Sequence, residues 1–234
     1  MALEAVFLDL GDTLVTERAS RAGVYTAVAQ AHGIDVREEP LGRTMMRVHR
    51  VLPQRLADGS FRYSDGWFRH FQRQVFADWR LSEARFEALS RDLFAAFEDA
   101  RTFRLHEGAL ELVTTLRTHG LRVGLISNWS ARLERLLAAL GLAQVLDPVL
   151  GSAELELEKP DTRLFQLALA RAGVAPGRAL HAGDKLDLDV EGAQTAGLRA
   201  VLVDHAGRHD PTRTPCPVVR SLPELAHRIL SDLA

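Results

Sequence analysis

Cysteine is almost missing from this chain: Cys216 is the only one in 234 residues. No disulfide can form within it, and the setting TRTPCPV reads as a surface connection rather than a reactive site. A reducing, cytoplasmic location is the matching expectation. An excess of one charge is missing too. With 29 basic and 31 acidic residues the formal net charge is −2, which argues against a nucleic-acid surface built on bulk charge and leaves room only for a local basic pocket. No apolar run approaches the roughly 20 residues that span a bilayer. The first residues run straight into a strand-like segment, without the basic region, apolar region and small-residue cleavage site of a signal peptide. Neither nucleic acid nor membrane is therefore expected as a partner. No internal repeat or low-complexity tract occurs, and HAGRHDPTRTPCP is the only long stretch rich in turn formers. The oligomeric state is not legible.

What is present is ordinary globular material, 47% hydrophobic and 26% charged, in a chain long enough for one good core plus a smaller unit. From Leu121 onward short β-rich runs alternate with helical ones: LRVGLIS, SARLERLLAALG, QVLDPVLGS, KPDTRLFQLALARAG, RALHAGD, DVEGAQTAG and a final strand LRAVLVD. Strands separated by helices of this length predict βαβ units and a parallel sheet covered on both faces. The first strand, AVFLD, has the same character but lies more than a hundred residues upstream of the next. Between them RAGVYTAVAQAHG, LGRTMMRVHRVL, DGWFRHFQRQVFADW and SEARFEALSRDLFAAF show helical spacing of apolar residues, with no convincing strand. The expectation is an α/β, Rossmann-like core of residues 1–15 and 105–234 interrupted by an all-helical insert of residues 16–104.

Several short motifs stand where strands of such a sheet end, which is where open α/β sheets bind ligands. Asp9 ends the first strand, Ser127 and Asn128 the second, and Gly183 and Asp184 a later one, while Lys159 precedes the helix beginning near Pro160. Carboxylates gathered without pairing repel, and a hard divalent cation such as Mg²⁺ relieves that repulsion with oxygen ligands. Asp9, Asp184 and Asp189 are the candidate ligands. A hydroxyl, an amide and an ammonium nearby make a donor set for a tetrahedral oxyanion such as phosphate. The combination points to phosphoryl transfer through an aspartyl-phosphate.

The motifs DLGDT, SN, EKPD and GDKLDLD resemble, in order, those of the haloacid dehalogenase superfamily, most of whose members are Mg²⁺-dependent phosphatases. The matched core spans most of the chain outside the insert, and the tail GAQTAGLRAVLVD is similar as well. The resemblance implies that Asp9 is the nucleophile and a metal ligand, and that the Gly11 carbonyl and Asp184 complete the metal site. It implies that Asp189 holds the metal directly or through water, that Ser127 and Asn128 bind phosphate with the neighbouring backbone, and that Lys159 neutralises Asp9 and the transferring group. Thr13 would brace the nucleophile loop, and the insert would be a cap that chooses a small phosphorylated substrate.

The departure is Gly11, where phosphatases of the family usually carry a second Asp as general acid and base, a role worth roughly 10² to 10⁴ in rate. Asp12 is the obvious substitute, but neighbours on an extended backbone point in different directions. Two rivals follow: a non-catalytic phosphate- and metal-binding protein, and a metal-independent 2-haloacid dehalogenase, whose relatives also lack that Asp but differ in the fourth motif.

Other residues have plainer readings. Ser127 and Asn128 would serve equally as caps of a helix starting near Ala131. Lys159 is expected to be exposed, Asp187 solvated or a helix cap rather than a ligand, His181 packed in its strand or supporting the site residues rather than acting as a base, and His205 and His209 on a surface loop. Trp67, Phe68, Phe71, Val75 and Trp79 recur at helical spacing and read as insert core. One or two of them, with Arg69 or His70 opposite, are candidates to face the site, and periodicity does not choose.

Overall fold

The run AVFL forms β1 (Ala5–Leu8), buried at every residue, as a central parallel strand covered on both faces must be. The computed structural model describes residues 2–233. After β1 comes a short strand, β2 (Val15–Glu17), and then four helices, α1 (Arg21–Ala31), α2 (Glu38–Val51), α3 (Asp65–Val75) and α4 (Glu83–Ala96). Ser20, Ser64 and Ser82 cap three of them, each side-chain oxygen accepting from the backbone N–H three residues on. Helix α2 begins three residues before the expected segment, because Glu38 and Glu39 suit a first turn and Pro40 is tolerated there. These helices enclose an apolar core of their own, including Tyr25, Leu41, Trp67, Phe71 and Leu89. Trp79 is partly exposed and lies in a short 3-10 turn beyond α3.

The chain returns through β3 (Phe103–Leu105), which pairs antiparallel with β2. This ribbon straddles the expected boundaries of the insert. The rest follows as α5 (Ala109–Thr118), β4 (Arg122–Ser127), α6 (Leu133–Ala139), β5 (Val149–Gly151), α7 (Ser152–Leu155), α8 (Thr162–Ala172), β6 (Ala179–Gly183), α9 (Glu191–Thr195), β7 (Arg199–Val203), β8 (Val218–Val219) and α10 (Leu222–Ser231). A π-helical turn, Leu186–Val190, precedes α9.

The main sheet has six strands in the order β5-β4-β1-β6-β7-β8, every pair parallel. Side chains alternate across it: Val6 and Leu8 join one core with α5, α6 and α10, whereas Ala5 and Phe7 join another with α8. This is the expected Rossmann-like core with a helical insert. The run LRAVLVD is not the final strand, since Val218 and Val219 leave the turn-rich segment to pair with β7. Cys216, in that segment, is not at the surface. Its side chain joins the α8 core, the residue is 8% exposed, and burial pushes the thiol up. No helix among the described residues is long and apolar enough to cross a membrane.

Strand β1 lies between β4 and β6: the chain steps outward through β4 to β5, then crosses back to β6 and steps outward on the other side through β7 to β8. That switch point opens a crevice at the carboxyl ends of the strands.

Candidate active site

Asp9 follows the last residue of β1, its N–H held by the Ala182 carbonyl of β6 at 2.9 Å. Its Oδ1 accepts from Ser127 Oγ at 3.0 Å and from Lys159 Nζ at 2.6 Å. Among the described residues no side chain donates to Oδ2. Ser127 is the buried last residue of β4, placed beside Asp9 by the parallel register.

Lys159 is not exposed as expected: it is 3% exposed. The Asn128 amide is the reason, for its Nδ2 donates to the Lys159 carbonyl at 3.0 Å and its Oδ1 accepts from the Lys159 N–H at 2.7 Å. The Asn128 side chain is thereby committed to positioning the lysine, which leaves its backbone for an anion. Neither Ser127 nor Asn128 caps α6, which starts later, at Leu133 after Arg132.

Lys159 Nζ also meets Asp189 Oδ1 at 2.5 Å, so one ammonium lies between two carboxylates. His181 Nε2 is 3.0 Å from the same Asp189 oxygen, and the Lys185 N–H donates to Asp189 Oδ2 at 2.9 Å. Both Asp189 oxygens are thus occupied, and the carboxylate holds Lys159 and the turn after β6. Gly183 makes room for it, since a Cβ there would fall 2.2 Å from Asp189 Cγ. His181 is fully buried, as its strand position implies. Asp184 leaves β6 half-buried and pairs with Lys185 Nζ. Asp187 is exposed.

These surroundings set the charges. Burial raises the Asp9 carboxyl above its ordinary value against the pull of Lys159. Burial also pushes Asp184 up to about 6, with Lys185 opposing. At Asp189 burial works in the same direction, but Lys159 and His181 outweigh it and hold the carboxyl well below the usual range. Asp9, Asp184 and Asp189 each offer an oxygen within 4.8 Å of the others. Two hard oxygens penalised for their charge fit a divalent cation. Asp9 and Asp184 have oxygens to give it, whereas Asp189 is better placed to support.

The loop after Asp9 is held in part by Thr13 and carries Asp12. Thr13 is buried, but its hydroxyl has no partner among the described residues; bracing comes through its backbone, whose carbonyl accepts from His205 Nε2 at 3.0 Å. Asp12 is not on an extended backbone: its φ is 55°, so its carboxylate comes back to the rim of the Asp9 cavity and accepts from Thr16 Oγ1 at 3.3 Å. Gly11 lies outside the left-handed region. A Cβ at Gly11 would stand 3.1 Å from Cζ3 of Trp129, so the indole occupies the space of the missing side chain.

The cavity over Asp9, about 420 Å³, takes Arg21 and Tyr63 from the insert and Trp129 from the loop after β4. Sequence reasoning missed all three. Arg69 and His70, its candidates, stand elsewhere: Arg69 pairs with Glu87, and His70 is exposed. Of the aromatic set in α3, Phe68 alone lines an adjoining cavity.

Fold and site together define a hydrolase: residues 3–197 match the haloacid dehalogenase-like hydrolases, and the chain belongs to that family. Among its relatives, the human haloacid dehalogenase-like hydrolase domain-containing protein 3 is 32% identical over 224 residues, covering 94% of this chain and 89% of the relative. A phosphoserine phosphatase of Thermus thermophilus is 31% identical over 233 residues, 91% and 94% of the two chains. Among solved structures, a 2-haloacid dehalogenase from Pseudomonas syringae superposes with a TM-score of 0.73 at 26% identity, covering 99% of this chain and 100% of that one.

Proposed function

We propose that this hydrolase is a Mg²⁺-dependent phosphatase of a small phosphorylated metabolite, with residues 16–104 as the cap over a core of residues 1–15 and 105–234. The observation that carries it is the bridging of Asp9 and Asp189 by Lys159, which leaves Asp9 Oδ2 and the raised Asp184 carboxylate turned to the cavity. Asp9, the Gly11 carbonyl and Asp184 would hold the metal, with Asp189 behind them. A bound Mg²⁺ would neutralise phosphoryl oxygens and the charge developing on them.

The protein groups do the rest. Asp9 Oδ2 forms a bond to phosphorus as the bond to the leaving oxygen breaks, and that oxygen departs with its electron pair. Lys159 and Ser127 fix Oδ1, the oxygen that Asp9 would keep for the metal, so that Oδ2 is the attacking atom, and the backbone near Asn128 holds phosphoryl oxygens. Water then attacks phosphorus, and Asp9 is regenerated with release of phosphate and a proton.

Two features favour the dehalogenase reading, the glycine at position 11 and the likeness to a 2-haloacid dehalogenase. One panel decides: phosphorylated metabolites and 2-haloacids, each with and without Mg²⁺, on the wild type and Asp9→Asn. Phosphate release that needs both Mg²⁺ and Asp9 is the expected result. Metal-free halide release would establish the dehalogenase, and no turnover of either class would leave a binding protein.

A further inference from the structure

Beside the Asp9 cavity lies a second, of about 120 Å³, between insert and core, and the two share Arg21, Tyr63, Asn128 and Trp129 as their common wall. Its lining is aromatic: Tyr25, Tyr63, Phe68, Phe94, Phe97 and Trp129. The cations that reach it are already paired, Arg21 with Glu17 at 2.7 Å and Arg132 with Asp65 and with Glu98 at 2.7 Å. The buried Gln72 is likewise engaged, accepting from Ser90 Oγ at 2.5 Å. Such a cavity offers dispersion and ring contacts and asks for no charge. Its volume suits one ring, since an apolar cavity of about 150 Å³ takes benzene.

Tyr63 stands at the junction with φ 69°, a left-handed backbone that costs a bulky residue energy, and such outliers gather at ligand clamps. Trp129 stands at the same junction, over Gly11, where a leaving oxygen would otherwise meet an acid. A leaving group here meets an indole, which can stack on it but cannot give it a proton, while the Asp12 carboxylate at the cavity rim is engaged by Thr16; aryloxide is a leaving group that departs without a proton.

The geometry points to a phosphoester of a single aromatic ring as the substrate class, with the ring in the Phe68–Phe97–Trp129 cavity and the phosphate over Asp9. This rests on the phosphatase reading above.

Phenylphosphonate and methylphosphonate, which share the anionic group and cannot be hydrolysed at it, test the inference by calorimetry on the Mg²⁺-loaded protein. Phenylphosphonate should bind roughly tenfold to a hundredfold more tightly, from burial of the ring. 1-Naphthylphosphonate should lose that advantage because the cavity holds one ring. Phe68→Ala should shrink the phenyl preference at least fivefold while methylphosphonate binds as before, with Phe68→Leu as the milder variant should the alanine protein not fold. Equal affinity of the phenyl and methyl compounds would overturn the ring pocket and leave the phosphate site standing. Failure of both to bind would overturn the phosphatase reading with it.

Discussion

At Gly11 the missing side chain and the indole of Trp129 are two parts of one arrangement, and a variant should show it. Gly11→Asp alone places its Cβ 3.1 Å from the ring, so the new carboxyl has no free path to a leaving oxygen and alkyl phosphate hydrolysis should stay near wild type. Combined with Trp129→Ala it gains that path, and alkyl phosphate turnover should rise by up to roughly 10². Steady-state rates on an alkyl phosphate check this, and a full gain from Gly11→Asp alone would show that the indole obstructs nothing. Asp184 and His181 make a second comparison. Asp184→Ala removes a hard oxygen that a cation would use, whereas His181→Ala removes only one of the groups holding Asp189. Titration with Mg²⁺ should show the far larger loss of affinity for Asp184→Ala. Equal losses would place the metal elsewhere.

At the scale of elements, the loop between α2 and α3 is tied to the segment that carries Lys159. Gln54 Nε2 donates to Glu158 Oε1 at 2.8 Å, Arg62 pairs with Glu158 at 3.3 Å, and Arg55 pairs with Glu156. The same loop presents Tyr63 to both cavities. Glu158→Ala should loosen it by about 1 kcal/mol, seen as roughly fivefold faster amide exchange over residues 52–64 with the interior of α4 unchanged. Unaltered exchange would mean that the ties do not hold the loop.

Elements also separate what the sequence disclosed from what it did not. Asp9, Ser127 and Asp184 could be singled out because they stand at or just beyond the ends of short apolar runs that give way to turn residues, whereas Asp189, in the π-helical turn beyond β6, rested on the resemblance of GDKLDLD. The helices of the insert were legible from apolar spacing. Lys159 was misjudged because its burial comes from Asn128, 31 residues away in the chain. Arg21, Tyr63 and Trp129 carry no period at all. Their positions follow from how the insert lies over the sheet, and at Tyr63 from a left-handed backbone that no local pattern announces.

Over the whole molecule, a buried carboxylate outside the site makes stability sensitive to acid. Asp204, 5% exposed at the end of β7, accepts from the backbone N–H groups of Arg208 and His209 at 3.0 and 2.7 Å and pairs with Arg220. Burial opposes its charge, but these donors prevail and hold the carboxyl well below its ordinary value. A group depressed in the fold stabilises it above its unfolded value, about 3.9, and loses that contribution as pH falls through and below it. Asp204→Asn should therefore lower stability at pH 7 by roughly 1–3 kcal/mol and lie nearer to wild type at pH 3. Denaturation across that range measures the gap, and a gap that stays constant with pH would exclude the charge as its cause.

The central place of β1 has a consequence in time. Its partners begin at Arg122 and Ala179, so on the ribosome the strand that leads into Asp9 is made before either of them and waits for both. The four helices of the insert contact one another within about 80 residues of sequence and can gather first, because local contacts need no long loop to close. A nascent chain halted after α4 should therefore hold a collapsed helical body beside an unpaired, wholly apolar strand. That strand is the segment a chaperone would be expected to cover until β6 arrives.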